Sequence, residues 1–329
     1  MNTPKLTVLM PVYNCEPYLR EAIDSILQQT FSDFEFLIIN DASTDASEEI
    51  ILSYTDPRIK YVKNDVNLRL VGTLNRGLDL IATPYMVRMD GDDVSTPDRL
   101  QKLFSYMESN PDIGVCGSFI ETFGNDNTVW KYDEDDEMIR PCIFYKSMIG
   151  HASAIFRMSV LNENGIRYSE RHIHMEDRVM WLSLFHITKF HNLQEVLYKY
   201  RILEHNVTVK NKDSLKERVT AFYAEVFKFF EIDISTEVLS VHVGYAPIGQ
   251  HRALEIQSYI DWLNISFTEM ELRKLGSKKA LGYHLNVIRE RLLSRIYAGG
   301  TSKMLRIALA EKSFLRRTIV LLKFRFGRK

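Results

Sequence analysis

Short apolar runs alternate with segments of helical apolar spacing along roughly the first 90 residues of this chain. Continuous apolar runs predict buried strands, whereas apolar residues that recur every three or four positions predict amphipathic helices. The predicted strands cover residues 6–10, 34–40, 59–63 and 83–89. The predicted helices cover residues 17–29, 48–54 and 70–80. Strand and helix therefore follow one another in regular alternation.

This alternation predicts the fold class. Strands that are apolar along their whole length are buried on both faces, which is typical of a parallel sheet covered by helices. We therefore expect an α/β fold with a mostly parallel, twisted sheet and helices on both faces. In open sheets of this kind, ligands bind beyond the carboxyl ends of the strands. The turns after the first, second and fourth strands are expected to meet at one crevice.

The pattern changes beyond about residue 208. Helical periodicity covers residues 214–230, 248–263, 268–275 and 280–298, and one short strand is predicted around residues 238–243. We therefore predict an α/β domain over residues 1–210 and a helical region over residues 211–329. Gly299-Gly300-Thr301-Ser302 is a linker-like break before the last segment.

Composition and charge exclude several classes of protein. An apolar fraction of 45%, with 18 Phe and 16 Tyr, supplies a large core, and a net charge of −1 argues against a general nucleic-acid binder. The three cysteines match no zinc or disulfide spacing, which indicates a reducing compartment. Residues 1–10 lack a signal-peptide pattern, and no apolar run reaches the ~18 residues of a membrane span. The expected location is the cytoplasm.

A cluster of carboxylates follows the fourth predicted strand, at Asp90, Asp92 and Asp93. Carboxylates this close repel one another unless a cation neutralises them. Hard oxygen ligands suit Mg²⁺ or Mn²⁺, which typically bind one or two carboxylates together with substrate phosphates. The cluster therefore indicates a metal held for a diphosphate. The alternative is a solvated acidic turn before a helix that starts near Pro97.

Six ordered motifs resemble those of the family 2 glycosyltransferases, which have a nucleotide-binding, Rossmann-like GT-A fold. They are VLMPVYN (8–14), SILQQTF (25–31), DASTD (41–45), LNRGL (74–78), DGDD (90–93) and ED (176–177). The resemblance extends over about residues 5–205. It implies transfer of a sugar from a nucleoside-diphosphate donor, with UDP as the expected carrier. The implied acceptor is a saccharide or a lipid-linked saccharide, as in the synthesis of capsule, O-antigen or other surface polysaccharides.

The resemblance also implies roles for the first strand-end turns. Tyr13 is expected to stack on the nucleobase, because an exposed aromatic face suits that task. Pro11 shapes the same loop, and Asn14 belongs to it. Asp41 is expected to accept a hydrogen bond from the base, and Arg69 to lie near the diphosphate. The alternatives are a core aromatic for Tyr13, a turn-forming role for Asp41 and a solvated side chain for Arg69.

For the acidic motif, the resemblance implies three different roles. Asp90 is expected to reach the ribose, and Asp92 to ligate the Mn²⁺ or Mg²⁺ that bridges the two phosphates. Asp93 has either a site role or the structural role of holding its loop. The metal would stabilise the charge that develops on the departing nucleoside diphosphate.

The acidic pair Glu176-Asp177 resembles the family's catalytic pair before a helix. An ionised carboxylate within hydrogen-bond reach can remove the proton of an acceptor hydroxyl, so Asp177 is predicted to be the base of an inverting reaction. Glu176 remains available to bind acceptor hydroxyls. The alternative is a pair of carboxylates that interact with the helix dipole. No Gln-x-x-Arg-Trp motif follows, so transfer of one sugar is expected rather than chain synthesis.

Two histidines have open roles. His151 lies in a segment that resembles the family's acceptor region, but an ordinary hydrogen-bonded histidine is equally consistent with the sequence. His205 follows Tyr200-Arg201 two residues later than the histidine of the family's Tyr-Arg-x-His motif. A metal or phosphate contact by His205 is therefore in doubt.

Two other functions remain as alternatives. One is a sugar-nucleotide-binding assembly subunit without turnover, which the presence of both Asp92 and Asp177 disfavours. The other is a sugar nucleotidyltransferase. Such proteins usually hold a triphosphate with a glycine-rich first loop, whereas residues 11–19 contain no glycine.

The last segment is strongly basic. Residues 303–329 contain nine Lys or Arg and one Glu, so the rest of the chain carries a net charge of about −9. Short apolar stretches among these charges are typical of a helix that lies on an anionic membrane surface. A peripheral position on the cytoplasmic face of the plasma membrane is one expectation, and packing against the protein's own acidic body is the alternative. A second copy of this chain is a further candidate partner.

Overall fold

The computed structural model of the protein describes residues 4–172, 174–203, 212–244, 251, 253–299, 301–302 and 304. Its described residues form two compact units. The first unit comprises the described residues up to 143 and those between 147 and 212. The second comprises residues 144–146 and the described residues from 213 onward. The domain boundary at residues 210–211 stays a prediction, since residues 204–211 lie outside the described part of the chain.

The first unit contains nine strands and seven α-helices among its described residues. The strands are β1 (Leu6–Val12), β2 (Phe34–Asn40), β3 (Ile59–Lys63), β4 (Tyr85–Arg88), β5 (Val94–Ser95), β6 (Ile113–Gly124), β7 (Val129–Trp130), β8 (Ile155–Arg157) and β9 (Lys189–Ile202). The helices are α1 (Leu19–Leu27), α2 (Ser47–Leu52), α3 (Arg69–Leu80), α4 (Arg99–Ser109), α5 (Asp136–Ile139), α6 (Met158–Glu163) and α7 (Glu176–Leu184). Three short 3₁₀ helices cover Arg140–Phe144, His151–Ser153 and Glu170–His172.

These strands form one sheet in the order β3-β2-β1-β4-β8-β6-β9-β5, with β7 paired to β6. The first four strands of this order are parallel, as predicted. β8 is antiparallel to both β4 and β6, and β5 is antiparallel to β9, so the rest of the sheet is mixed. The predicted α/β fold is confirmed. The long strands β6 and β9 pair in parallel and are separated from β4 by β8.

The apolar pattern predicted the first strands well. β2 and β3 have the predicted bounds, and β1 extends two residues further, to Val12. The Asp41 amide donates to the carbonyl oxygen of Val12 at 2.8 Å, so the β1–β2 pairing continues to the edge of the sheet. Pro11 and Val12 therefore end a strand and do not form a turn of their own.

The LNRGL motif has a packing role at the α3–β1 contact. A Cβ added at Gly77 would lie 2.5 Å from Cδ1 of the buried Leu9. That distance is shorter than any carbon–carbon contact, so α3 can approach β1 this closely because residue 77 has no side chain. The close packing fixes the position of α3, whose first residue is Arg69.

The second unit is helical, as predicted. It contains α8 (Lys212–Phe229), α9 (Thr236–Val243), α10 (Ala253–Leu272) and α11 (Lys278–Gly299). The strand predicted around residues 238–243 is wrong, because these residues belong to α9. Ser235 caps this helix by accepting a hydrogen bond from the amide of Val238, and Gly244 ends it with a φ of 77°. The two helices predicted at 248–263 and 268–275 are a single helix, α10.

Two expectations concern membranes, and the described residues cover only part of the chain on which these expectations depend. No described helix combines the length and the apolar character that a membrane-spanning helix needs. Except for Met304, the basic segment 303–329 lies outside the described residues. His205 also lies outside them.

His242 is a half-buried hydrogen-bonding centre of the second unit. Its Nε2 lies 2.6 Å from the carbonyl oxygen of Phe144, and its Nδ1 lies 3.1 Å from the hydroxyl of Tyr259. Because a carbonyl can only accept, Nε2 carries the proton and Nδ1 accepts from Tyr259. The rings of Phe227 and Trp262 also pack on the imidazole. Burial lowers the pKa of His242 to about 4.

We expect this histidine to make the stability of the protein depend on pH. Above the ordinary histidine pKa, His242 is neutral in both the folded and the unfolded chain. As the pH falls from about 6.5 to 4, the unfolded chain takes up the proton first, so the free energy of unfolding should fall by about 3 kcal/mol. Urea unfolding at a series of pH values measures this loss. His242→Gln keeps one donor and one acceptor without titrating, and it should remove that part of the dependence. An unchanged pH dependence in this variant would contradict the assignment.

Candidate active site

A cavity of about 600 Å³ opens at the carboxyl ends of β1 and β2. Its wall contains the end of β1, the loop that leads into α3, and the loop that leads into α7. The lining residues are Pro11, Val12, Tyr13, Asp41, Asn67, Leu68, Arg69, Leu70, Val71, Thr73, Glu170, His174 and Glu176. The volume is within the range of small-molecule sites. The cavity also lies where ligands of open parallel sheets bind.

The turns that follow β1, β2 and β4 meet at this edge, as expected from the parallel strands. The Asn14 amide donates to Ser43 Oγ at 3.1 Å, and Asn14 Oδ1 accepts from the amide of Thr44 at 2.9 Å. A Cβ added at Gly91 would lie 3.1 Å from Cys15 Sγ, so the acidic turn packs against the first turn. Asn14 is not among the residues that line the cavity, and its side chain joins two turns.

The loops around the cavity are held in strained conformations. Among the described residues of the first unit, four non-glycine residues have a left-handed φ. They are Asn14 (52°), Ala42 (56°), Arg69 (60°) and His174 (67°). Such conformations cost on the order of 1–3 kcal/mol each and persist where the surrounding structure fixes them. Their concentration in these loops indicates a binding site that is already formed without a ligand.

Asp41 has two tasks at once. It lines the cavity, and its Oδ1 accepts hydrogen bonds from Asn64 Nδ2 at 2.6 Å and from the Leu68 amide at 2.8 Å. Asn64 Nδ2 also donates to Thr73 Oγ1 at 3.0 Å, and Arg76 donates to Asn64 Oδ1. This network holds the loop that leads into α3. Asn64 was not among the predicted site residues, because nothing in its local sequence distinguishes it from a loop asparagine.

The three carboxylates after β4 have different environments. Asp90 forms an ion pair with Arg88, whose side chain is buried. Asp93 is buried, and its two oxygens accept from the hydroxyl of Tyr198 at 2.8 Å and from the amide of Arg201 at 2.7 Å. Asp93 is thus bound to β9, whereas Asp92 is half-buried between the other two.

The negative charges of Asp90, Asp92 and Asp93 repel one another. Burial and the neighbouring Asp90 raise the pKa of Asp92, and burial followed by Asp90 and Asp92 raises the pKa of Asp93. Burial and Asp92 also raise the pKa of Cys15 to about 12, so that thiol is neutral. A divalent cation would relieve this repulsion, and carboxylate oxygens are the ligands that Mg²⁺ and Mn²⁺ prefer. The residues present therefore fit such a cation at Asp92.

The acidic pair begins α7. Glu176 lines the cavity, and burial followed by the neighbouring Asp177 raises its pKa. Burial also raises the pKa of Asp177, whose Oδ2 lies 3.5 Å from Ser147 Oγ. A raised pKa makes a carboxylate a stronger base while it stays ionised near neutral pH.

Arg88 and Tyr168 each interact electrostatically with Asp90 of the acidic turn and with Glu176 of the acidic pair. Burial raises the pKa of Tyr168; the Arg88 charge opposes this, and Glu176, Asp177 and Asp90 act in the same direction as burial. His151 Nε2 lies 2.8 Å from the Tyr168 hydroxyl, and burial lowers the pKa of His151. His151 is therefore a neutral, hydrogen-bonded histidine of this region. Arg88 was not among the predicted site residues, although a cationic residue at the end of a buried strand is a signal for such a role.

The comparison with known families agrees with this geometry. The model described as glycosyl transferase family 2 matches residues 7–187, more than half of the chain. The chain belongs to this family.

Individual relatives extend the comparison. An uncharacterized glycosyltransferase of Haemophilus influenzae is 28% identical over 264 residues, which are 73% of this chain and 81% of the relative. WfgD of Escherichia coli, named a UDP-Glc:alpha-D-GlcNAc-diphosphoundecaprenol beta-1,3-glucosyltransferase, is 25% identical over 218 residues, 65% of this chain and 83% of the relative. A TarS fragment from S. aureus, solved with UDP-GlcNAc, has a TM-score of 0.60 at 16% identity and covers 95% of this chain and 92% of its own. The expected GT-A fold and the nucleotide-sugar-dependent glycosyltransferase activity are confirmed.

Most predicted site residues of this glycosyltransferase lie together. Five of them line the cavity, namely Pro11, Tyr13, Asp41, Arg69 and Glu176. Asp90 and Asp92 lie in the adjoining acidic turn, and Asp177 follows Glu176 in the first turn of α7. The tasks of these residues in binding and catalysis stay predictions.

Asp92 and Asp93 differ in what they do for the fold, and two matched variants test the difference. Asp93→Ala should lower the free energy of unfolding by about 2–3 kcal/mol, because it leaves the Tyr198 hydroxyl and the Arg201 amide without their acceptor. Asp92→Ala should change it by less than about 1 kcal/mol. Urea unfolding of both variants measures these values. An equal loss in the two would show that Asp92 is also a structural residue.

Proposed function

We propose that this family 2 glycosyltransferase transfers one sugar from a UDP-sugar to a hydroxyl of a saccharide, or of a lipid-linked saccharide, in surface polysaccharide synthesis. The observation that carries the proposal is that Glu176 lines the same cavity as Tyr13 and Asp41. The nucleotide side and the acceptor side of the reaction would then share one space. The names of two similar proteins support the choice of donor and acceptor, since one was solved with UDP-GlcNAc and the other is named for a diphosphoundecaprenol acceptor.

On the nucleotide side, Tyr13 offers an aromatic face that is 49% exposed in the cavity wall. Stacking on a uracil ring would cover this face. Asp41 would accept a hydrogen bond from the base with Oδ2, because Oδ1 already accepts from Asn64 and from the Leu68 amide. Arg69 would neutralise part of the diphosphate charge from the first turn of α3. Asp90, held by Arg88, would bind the ribose hydroxyls.

The acidic turn would hold Mn²⁺ or Mg²⁺ through Asp92. A bound divalent cation supplies Lewis-acid stabilisation of the charge on the departing diphosphate. The chain's own contribution is to fix Asp92 through the turn that Asp93 anchors to β9. The neighbouring thiol of Cys15 stays neutral and adds no competing charge.

On the acceptor side, Asp177 would accept the proton of the attacking hydroxyl while that oxygen bonds to the anomeric carbon of the donor sugar. The bond between that carbon and the diphosphate oxygen breaks in the same step, and UDP leaves with the electron pair. One base and one leaving group require a single in-line displacement, which inverts the anomeric configuration. A second carboxylate that forms a glycosyl intermediate, as in retaining glycosidases, is not needed.

A donor screen tests the proposed function. Thermal shift with Mn²⁺ and a panel of UDP-, GDP- and dTDP-sugars should select UDP-sugars. The selected radiolabelled donor should then be cleaved slowly by water, and faster with Mn²⁺ than with a chelator. Tight binding without any UDP release would favour a non-catalytic binding subunit. Pyrophosphate release from UTP and a sugar 1-phosphate would favour a nucleotidyltransferase.

We also propose that the basic segment 303–329 holds the enzyme on the cytoplasmic face of an anionic membrane. Each basic residue near such a surface contributes about 1 kcal/mol, and this segment has a net charge of +8. Full-length protein should co-sediment with anionic vesicles several-fold more than a version ending at Gly300. Neutral vesicles should retain neither version. Equal sedimentation of both versions with anionic vesicles would exclude the anchor. Analytical ultracentrifugation of the protein without vesicles tests whether a second copy of this chain is a partner.

A further inference from the structure

An exposed aromatic surface lies beside the acidic turn on the first unit. Trp130, in the two-residue strand β7, has 39% of its surface exposed. Its ring centroid lies 5.2 Å from that of Tyr200, with the ring planes tilted by 38°. An indole ring is a large apolar surface, and leaving it in water is costly unless a partner covers it. The two rings together form an aromatic surface, which we call the Trp130 platform.

The strand register relates this platform to the acidic turn. Trp130 pairs with Ile120 across β7 and β6, and Ile120 pairs with Tyr198 across β6 and β9. Directly paired residues point to the same face of a sheet, and so do residues two apart in a strand. Trp130, Tyr198 and Tyr200 therefore share one face. The Tyr198 hydroxyl on that face donates to Asp93 and accepts from the amide of Asp90.

The electrostatic environment of Tyr200 agrees with a position of the platform beside the acidic turn. Burial raises the pKa of Tyr200, and the carboxylates Asp90, Asp93 and Asp92 raise it further. The carboxylates of the acidic turn therefore interact electrostatically with the platform. A sugar ring that covers Trp130 would lie next to the residues that we propose for the donor diphosphate.

The chain continues from Trp130 toward the proposed base. Tyr132 lies two residues further, and a Cβ added at Gly150 would come within 2.9 Å of its hydroxyl oxygen. Burial raises the pKa of Tyr132, and Asp177 raises it further. The segment from Trp130 to Tyr132 therefore runs from the neighbourhood of the acidic turn to the neighbourhood of Asp177. An acceptor bound along this segment would reach both.

We propose that Trp130 binds the acceptor by stacking on the apolar face of a pyranose ring, so that a hydroxyl at the ring edge faces Asp177. This inference rests on the proposed function, because it names the class of acceptor used at the same site. The axial C–H groups of a pyranose carry partial positive charge and attract the negative face of an aromatic ring. The ring hydroxyls remain at the edge, where polar groups can bind them. A flat aromatic surface selects a ring-shaped acceptor over an open-chain polyol.

Strand geometry supplies a matched control. Val129 precedes Trp130 in β7 and is 42% exposed, so its exposure is similar. Adjacent residues of a strand point to opposite faces, and Val129 therefore lies away from the platform. Val129→Ala therefore removes exposed apolar surface from the same strand but leaves the platform in place. Trp130→Phe keeps an aromatic face and tests the stacking itself.

The first test measures acceptor use. UDP release from UDP-GlcNAc, or from whichever donor the screen selects, is followed with increasing methyl β-glucoside, methyl β-galactoside or methyl N-acetyl-β-glucosaminide. Trp130→Ala should raise the half-saturating glycoside concentration about tenfold, and Trp130→Phe should restore most of the affinity. Slow donor cleavage by water should be unchanged in all variants. An unchanged half-saturating concentration in Trp130→Ala, or an equal rise in Val129→Ala, would overturn the proposal.

The second test does not depend on turnover. Trp181 is buried, whereas Trp262 is partly exposed, so the acrylamide quenching of Trp130 is obtained by comparing the wild type with Trp130→Phe. Saturating methyl glycoside should protect this emission in the wild type, and Trp130→Phe should lack the protected component. Protection without UDP release from any donor would refute the proposed function and leave the platform standing. UDP release without protection by any of the three glycosides would refute the platform and leave the proposed function standing. Failure of both tests would refute both.

Discussion

Asp177→Asn should abolish nearly all sugar transfer, by about 10³-fold or more, while donor affinity stays within about twofold of the wild type. The amide keeps the shape of the carboxylate and can accept a hydrogen bond, but it cannot accept the proton of the acceptor hydroxyl. Burial already raises the pKa of Asp177, so its ionised form is a stronger base than an exposed aspartate. Initial rates of transfer and equilibrium binding of the donor measure the two quantities separately.

The neighbouring acid provides the control for this variant. Glu176→Gln alters the same helix turn, but it should act mainly on the half-saturating acceptor concentration. A donor affinity that collapses in Asp177→Asn would assign this residue to the nucleotide site. A large residual rate in Asp177→Asn, together with loss of turnover in Glu176→Gln, would move the role of base to Glu176.

Asp92→Ala should have the second large effect, with a loss of transfer on the order of 10³-fold and loss of Mn²⁺-dependent UDP binding. The variant removes the carboxylate that we propose as the metal ligand, and the fold should remain because Asp93 still anchors the turn. Isothermal titration of UDP with and without Mn²⁺ measures the binding, and urea unfolding verifies the fold.

Asp98→Ala is the matched control for this loss. Asp98 lies a few residues further along the chain, is 43% exposed and pairs with Lys102 on the surface. Its removal should leave transfer and UDP binding unchanged. If Asp92→Ala retains wild-type transfer that still requires Mn²⁺, the ligand is Asp90 or Asp93.

The local structure around the site followed from local sequence patterns. The strands β2 and β3 and the helix after Leu68 were predicted nearly to the residue, because apolar periodicity records which face of each element is buried. The meeting of the strand-end turns followed from parallel topology, which brings carboxyl ends to one edge. The prediction failed at residues 238–243, where valines and leucine also fit a strand. There Ser235 and Gly244 cap a helix, and the helical packing overrides the strand propensity.

The difference between Asp92 and Asp93 required the tertiary structure. Both follow the same strand with the same charge, and the sequence left the structural role of Asp93 open. Its partners Tyr198 and Arg201 are 105 and 108 residues away in the chain. No local pattern records such a contact. The same holds for Asn64, whose bonds to Asp41 and Thr73 make it part of the cavity wall's support.

The sequence by itself determined the α/β class, the order of the strands and helices up to about residue 89, and the family to which the chain belongs, because each depends on spacing and motifs along the chain. The tertiary structure alone decided which carboxylate anchors the acidic turn, that Arg88 pairs with Asp90, and that Trp130 shares a face with Tyr198 and Tyr200. The physical reason is how far apart along the chain the interacting residues lie. Periodicity reports burial within one element, whereas charge pairing and exposed aromatic surfaces arise where distant elements meet.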